Sequence, residues 1–310
     1  MKKIYYLAGI SLSICFCLLF VYLRSSDDSG KVLGSSINSF YQKKSVNAQR
    51  PPQRKDGIKD PVIYADYAVL IDDKSKYPIY QKDSEKAVPI ASITKVMTAM
   101  VVLDSFKDLG QILEVSSEAS SIEGSKVGLK SSEKISVENL LYGLMMNSGN
   151  DAANVFAENM GGVEKFVEKM NEKARQIGME HTTFRDPAGL DDDGRSTAFD
   201  IAILFSYALK NETFKQVVNT AEKEISSEDG SITHALKNSN RLVTNEVPFD
   251  GVIGGKTGFT FAAGHGLVCA AQNEGLTLVS VVLKTHSSKN EASALESRKL
   301  LSWGFESFIF

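Results

Sequence analysis

The stretch GKTGFTFAAGHGLVCAAQNEGLTLVSVVLKT, Gly255 to Thr285, holds two β-prone runs on either side of a polar turn at Gln272 to Gly275. Near the other end, YAVLIDD (Tyr67–Asp73) and YPIYQKD (Tyr77–Asp83) flank a second polar turn, KSK. Each pair predicts a hairpin, and helical signals fill the chain between them. That order predicts an α/β (α+β) sandwich in which the terminal strands meet in one antiparallel sheet. SITKVMTAMVVLDSF puts Ile93, Val96, Met97, Met100 and Val101 on one helix face, and VENLLYGLMM follows Ser136 as a candidate N-cap. DAANVFAENMGG ends in a glycine pair, and VEKFVEKMNEKARQIG repeats Phe166, Met170 and Ala174 before Gly178, both ordinary helix stops. A closing helix, ASALESRKLLSWGF, is expected to pack on the sheet.

Three short motifs carry chemistry. In VPIASITKVMTAMVV, Ser92 and Lys95 lie three apart at the opening of an apolar helix, so the lysine can reach the serine hydroxyl. Backbone N–H groups at a helix start favour developing negative charge. For Lys95 to accept the serine proton near pH 7, its pKa must fall from about 10.4 toward 7, at about 4 kcal/mol. An apolar setting and a second cation can do this. SSEK at Ser131–Lys134 has the same spacing but reads as a solvated turn, so the spacing alone is a weak signal. GGKTGFT, Gly254–Thr260, offers the second cation: on a strand Lys256 and Gly258 share one face, and the glycines let a substrate backbone lie alongside. MNSGND places Ser148 and Asn150 in a tight connection between two helices. Each motif alone is more often a cap, a turn or an edge strand.

Together and in this order, Ser-x-x-Lys at 92–95, Ser-Gly-Asn at 148–150 and Lys-Thr-Gly at 256–258 resemble the motifs of penicillin-binding proteins and serine β-lactamases. The text around them, including LLYGLMMNSGNDAANVFAENMGG, HTTFRDPAGLDDDGRSTAFDIA and GVIGGKTGFTFAAGHGLV, is similar to low-molecular-mass D-alanyl-D-alanine carboxypeptidases from about Tyr64 to Phe305. The resemblance implies a β-lactamase/transpeptidase-like sandwich, an antiparallel sheet flanked by helices with a helical subdomain. It implies an acyl-enzyme reaction on a peptidoglycan stem peptide ending in D-Ala-D-Ala, with β-lactams as covalent inhibitors and no metal or cofactor. Ser92 would be the nucleophile and Lys95 its base; Ser148 would relay a proton, and Asn150 would hold the substrate amide and orient Lys95. Lys256 and Thr257 would bind the terminal carboxylate, and the N–H groups of Ser92 and Phe259 would form the oxyanion hole. Some relatives place an arginine near the start of the last segment as a further carboxylate contact; SSKNEASAL offers only Lys289.

Other readings are weaker. A class A β-lactamase needs a glutamate-activated water, and HTTFRDPAGLDDD has no glutamate. A non-catalytic β-lactam receptor needs a cytoplasmic output, and only Met1–Lys3 precede the apolar run. His181, His234, His265 and His286 are scattered, with no G-x-S-x-G elbow and no zinc spacing. Cleavage of cross-links by the same site stays open.

IYYLAGISLSICFCLLFVYL, residues 4–23, matches the ~20 apolar residues that span a bilayer, with lysines before it and no A-x-A site after it. The expectation is an uncleaved anchor over 1–24, a polar linker over 25–60 and a catalytic domain over 61–310. The preceding lysines put the domain outside the cytoplasm as a single-pass membrane protein. Cys269 is the only cysteine of the soluble body, so no internal disulfide forms there. A net charge of −3 over 310 residues gives no basic field for nucleic acid.

Overall fold

The computed structural model describes residues 51–287 and 289–310. The anchor expected over 1–24 and the linker up to residue 50 lie outside the described residues. Five strands form the central sheet: β1 (Ala65–Asp72), β2 (Pro78–Lys82), β3 (Val252–Thr260), β4 (Gly264–Asn273) and β5 (Leu276–Thr285). Their order is β3-β4-β5-β1-β2 and every neighbour is antiparallel. The N-terminal hairpin and the C-terminal strands therefore meet along β5 and β1, as the pattern at the chain ends predicts. The β4–β5 loop is Glu274-Gly275, both at positive φ, +48° and +82°, the geometry of a two-residue hairpin turn matched to strand twist. One expectation is refined: the run before this turn is two strands, broken at Phe261–Ala263. Thr260 Oγ1 accepts the Ala263 N–H there and tightens the reversal.

Both faces of the sheet are covered. Alternate residues of β1 serve two layers: Val69 and Ile71 belong to the core shared with helices α1 (Lys95–Ser105) and α5 (Ala198–Ala208), of which α5 packs on the strand, while Ala68 and Leu70 face α7 (Ala292–Ser307). This double burial is why the strand reads as an unbroken apolar run rather than an alternating one. Each fully buried Leu, Ile or Val contributes roughly 1.5–3 kcal/mol. The closing helix packs on β5 and β4 as expected.

The helical layer carries α2 (Val137–Met146), α3 (Asn150–Asn159), α4 (Val163–Gln176) and α6 (Glu212–Asn219). Ser136 caps α2 by accepting the Asn139 N–H at 3.2 Å. Gly161 and Gly162, both at φ +100°, end the segment after α3, and Phe166, Met170 and Ala174 are the buried stripe of α4. Residues 51–60, read from composition as the end of a linker, run across the body instead. Gln53–Arg54 pairs with Phe308–Ile309, Arg54 pairs with Asp60 at 2.8 Å, and Trp303 Nε1 donates to the Lys59 carbonyl. Among the described residues no helix is long and apolar enough to cross a membrane.

Helix α7 lies close to the sheet because Gly304 has no side chain. A Cβ there would stand 2.5 Å from Leu70 Cδ2 and 2.8 Å from Leu278 Cδ1. Gly304→Val should therefore overpack this layer and cost about 2 kcal/mol, a fall in Tm of about 4–8 °C by differential scanning calorimetry. An unchanged Tm would mean that α7 is free to slide on the sheet.

Candidate active site

Three elements converge at one end of the sheet. The first is a 3-10 turn, Ala91–Thr94, that leads into α1; Ser92 sits in this turn, one step before the α-helix expected from its pattern. Ala91 holds φ +49°, a conformation an L-residue seldom adopts, and so aims the next residue toward the sheet edge. Gly189 comes so near that a Cβ would lie 2.0 Å from the Ala91 carbonyl oxygen. The second element is the Asn147–Gly149 connection between α2 and α3, where Ser148 takes φ +58° and Asn150 opens α3. The third is β3, the edge strand of the sheet. A Cβ on its Gly258 would meet the Ile90 carbonyl oxygen at 2.7 Å, so only glycine lets this strand pass beside the nucleophile turn.

Lys95 is fully buried at the centre. Its Nζ lies 2.9 Å from Ser92 Oγ, 2.8 Å from Asn150 Oδ1 and 2.7 Å from the Ala188 carbonyl oxygen. Asn150 Nδ2 donates to the Glu123 carbonyl at 2.7 Å, which fixes the amide with its oxygen toward the lysine. Burial, with the Lys256 charge next, pushes the Lys95 ammonium well below its usual range; Asp186 and Asp151 oppose this more weakly. A neutral amine has two N–H donors and one lone pair. Asn150 Oδ1 and the Ala188 carbonyl can only accept, so they take both donors. In that neutral form the lone pair would be left for the Ser92 hydroxyl, 2.9 Å away.

Two carboxylates, the buried Asp151 and the partly buried Asp186, hold the loops that supply these acceptors. Asp151 accepts from Val127, Gly128, Leu129 and Ala152 N–H groups, and Asp186 accepts from Ala188, Gly189 and Asp191. The first group packs the loop that carries Glu123; the second packs the loop that carries Ala188.

Lys256 is also fully buried, not the solvated edge lysine that an isolated Lys-Thr-Gly suggests. Its Nζ donates to Ser148 Oγ at 3.1 Å and to the Thr257 carbonyl at 2.9 Å, and burial lowers its pKa to about 7. Above these buried groups lies a cleft of about 370 Å3 whose lining includes Ser92, Ser148, Thr257 and Phe259. The seven residues singled out in the sequence are thus gathered at one place. Sequence reasoning missed others in the lining. Ser239 Oγ is 2.6 Å from Thr257 Oγ1, Arg241 reaches the cleft while paired to Glu246 at 2.7 Å, and His265 stacks on Phe259. No local motif announces Ser239 or Arg241; they arrive through the hairpin Glu222–Ser226/Thr233–Lys237 that precedes them. Lys289 lines a separate hollow with Tyr64 and His286, and Asn290 and Ser293 reach the cleft in its stead.

A nucleophile turn, a helix-connection serine and asparagine, and a lysine-bearing edge strand on this sandwich define a penicillin-binding protein of the serine peptidase class. Residues 54–287 match the D-alanyl-D-alanine carboxypeptidase family, and the chain belongs to that family. It is 33% identical over 248 residues to the D-alanyl-D-alanine carboxypeptidase DacF of Bacillus subtilis, covering 78% of this chain and 62% of the relative. It is 36% identical to a D-alanyl-D-alanine endopeptidase of Pseudomonas aeruginosa, covering 72% of each. The solved D-alanyl-D-alanine carboxypeptidase of Mycobacterium tuberculosis superposes with a TM-score of 0.75 at 31% identity, over 83% of this chain and 98% of that one.

Burying Lys256 has a measurable cost. A fall from its usual 10.5 to about 7 disfavours the fold by roughly 5 kcal/mol below pH 7, because the unfolded chain holds the proton more tightly. The penalty shrinks as pH rises from 7 toward 10.5. Lys256→Met should therefore raise Tm by several degrees at pH 6, raise it much less at pH 10, and abolish turnover. Equal Tm gains at both pH values would show that the lysine is not desolvated.

Proposed function

We propose that this protein is a membrane-tethered serine D-Ala-D-Ala carboxypeptidase that trims peptidoglycan stem peptides outside the cytoplasm. The observation that carries the mechanism is the buried Lys95 Nζ, held by Asn150 Oδ1 and the Ala188 carbonyl and set 2.9 Å from Ser92 Oγ. Ser92 Oγ attacks the carbonyl carbon between the two terminal D-alanines while its proton passes to Lys95 Nζ. The N–H groups of Ser92 and Phe259 receive the oxyanion. Ser148, bridging toward Lys256, relays the proton held by Lys95 to the leaving amine, which returns Lys95 to its neutral form as free D-alanine departs from a Ser92 ester. Water then attacks the ester carbonyl, Lys95 takes its proton and returns it to Ser92 Oγ, and the shortened peptide leaves. The apolar run at residues 4–23 supports the tether.

The leaving alanine carries a carboxylate, and its contacts go beyond Lys256 and Thr257. With a pKa near 7, Lys256 is a proton carrier and an unreliable fixed charge at neutral pH. A guanidinium is a fixed charge, and Arg241 places one on the lining with the Ser239–Thr257 hydroxyl pair. These three groups complete the carboxylate pocket that Lys289 leaves open. The loop opposite Lys95 presents the Ala188 carbonyl rather than a carboxylate, which disfavours a β-lactamase-type deacylation.

Mass spectrometry of the full-length protein in detergent tests this reading. Loss of one alanine from a D-Ala-D-Ala peptide, with a long-lived benzylpenicillin adduct on Ser92, is expected. Rapid penicillin hydrolysis with an intact peptide would mean a β-lactamase, and a stable adduct without peptide turnover would mean a receptor. Arg241→Ala should raise KM for the peptide about tenfold with little change in kcat, the loss of one charge-assisted contact worth about 1.4 kcal/mol. A lowered kcat at constant KM would instead place Arg241 in the reacting centre.

A further inference from the structure

The end of the β3–β4 hairpin is unusually poor in side chains where the oxyanion donor must be held. Gly258 and Gly266 face each other across the ladder, and Gly264 turns the chain at φ +65°. Gly258 is enforced by contact, because a Cβ there would meet the Ile90 carbonyl oxygen at 2.7 Å; one on Gly266 would be tight, 3.2 Å from Leu283 Cδ2. Glycine backbone is the most conformationally free, and β3, as an edge strand, is hydrogen-bonded on one side only. An oxyanion donor must nonetheless sit within a few tenths of an ångström of its mark.

The residue directly opposite Phe259 is His265. Their rings stack with centroids 4.3 Å apart and planes 28° from parallel, the closest aromatic pair among the described residues. The alternation of the ladder puts this pair on the side of Leu267, which packs in the α7 layer; Lys256 and Val268 face the helical layer. The imidazole therefore lies across the strand from the buried lysine network. A second clamp acts one residue on, where Thr260 Oγ1 donates to Asp192 Oδ1 at 2.9 Å.

We propose that His265 is a positioning residue for the oxyanion hole: its ring, stacked flat on Phe259, holds the glycine-rich end of β3 so that the Phe259 N–H stays aimed into the cleft. The role depends on the flat ring, because the group it acts through is the backbone of its stacking partner. It rests on the assignment of that N–H to the oxyanion hole.

Three variants of the full-length protein test this: His265→Ala, His265→Gln and His265→Phe, each read by kcat and KM on a D-Ala-D-Ala peptide, by the rate of Ser92 acylation with benzylpenicillin, and by thermal melting. His265→Ala and His265→Gln should lower kcat and the acylation rate about tenfold with KM within about twofold, a partial loss of one oxyanion donor. His265→Phe should restore both rates to within about twofold of wild type. If His265→Ala fails to fold, the Gln and Phe pair decides alone. Wild-type rates in His265→Gln, a rise in KM without loss of kcat, or failure of the Phe variant to rescue would each overturn the inference and leave the site assignment intact. A wild-type protein inert to both peptide and penicillin would bring down the site assignment and this inference with it.

Discussion

Everything at the site depends on keeping two lysines dry within one wall. An ammonium in apolar surroundings is costly enough that the group gives up its proton instead. Lys95 and Lys256 are both fully buried, and the Lys256 charge adds to the burial that disfavours the ammonium of Lys95. The layers on both faces of the sheet make this possible. Helices α1, α2, α3 and α5 exclude water on one side, and the sheet, backed by α7, excludes it on the other. The core beneath the site is thus tied to the chemistry, because burial disfavours the charged form of Lys95.

The backbone then has to deliver polar groups into this dry wall without leaving any unpaired. Asp151 and Asp186 do so by gathering N–H groups of two irregular loops, which frees the Glu123 and Ala188 carbonyls to face inward. Ala91 and Ser148 accept positive φ, a strain of about 1–3 kcal/mol each. Both residues adjoin or supply a hydroxyl of the site. Other positive-φ residues, such as Glu274, lie in turns away from the site, whereas these two shape the connections that carry its hydroxyls.

Much of this was legible in the sequence because the relevant signals are local. The hairpin patterns at Tyr67–Asp83 and Gly255–Thr285, the Ser136 cap and the Gly161-Gly162 stop depend on nearest neighbours along the chain. The Ser-x-x-Lys spacing was ambiguous by itself: Ser131 and Lys134 share it, yet both are exposed, the first in a turn and the second opening the short strand Lys134–Ser136. Context separated the two, since only Ser92 precedes an apolar helix. What stayed hidden was non-local. Arg241 and Ser239 reach the cleft through a hairpin with no motif, residues 51–60 are ordered by contacts with Trp303 and Phe308 at the far end of the chain, and the break at Phe261–Ala263 sits inside a continuous β-prone run. His265 looked like one of four scattered histidines until the ladder set it against Phe259.

Two kinds of positive charge then divide the work. A lysine near pKa 7 can gain and lose a proton within a catalytic cycle, and for that same reason it cannot guarantee a charge for binding. An arginine guanidinium keeps its charge at any working pH and, being a poor proton donor, cannot relay. Burial selects the first role and exposure the second: Lys256 lies beneath Ser148, where protons must move, and Arg241 lies on the cleft lining, where a carboxylate would rest. The Glu246 carboxylate that pairs with Arg241 also pairs with Lys237, at 2.8 Å, so it is shared between two cations and leaves the guanidinium free to take a second partner. On the proposed mechanism, binding and proton transfer would thus fall to side chains at different depths, and neither would have to be compromised for the other.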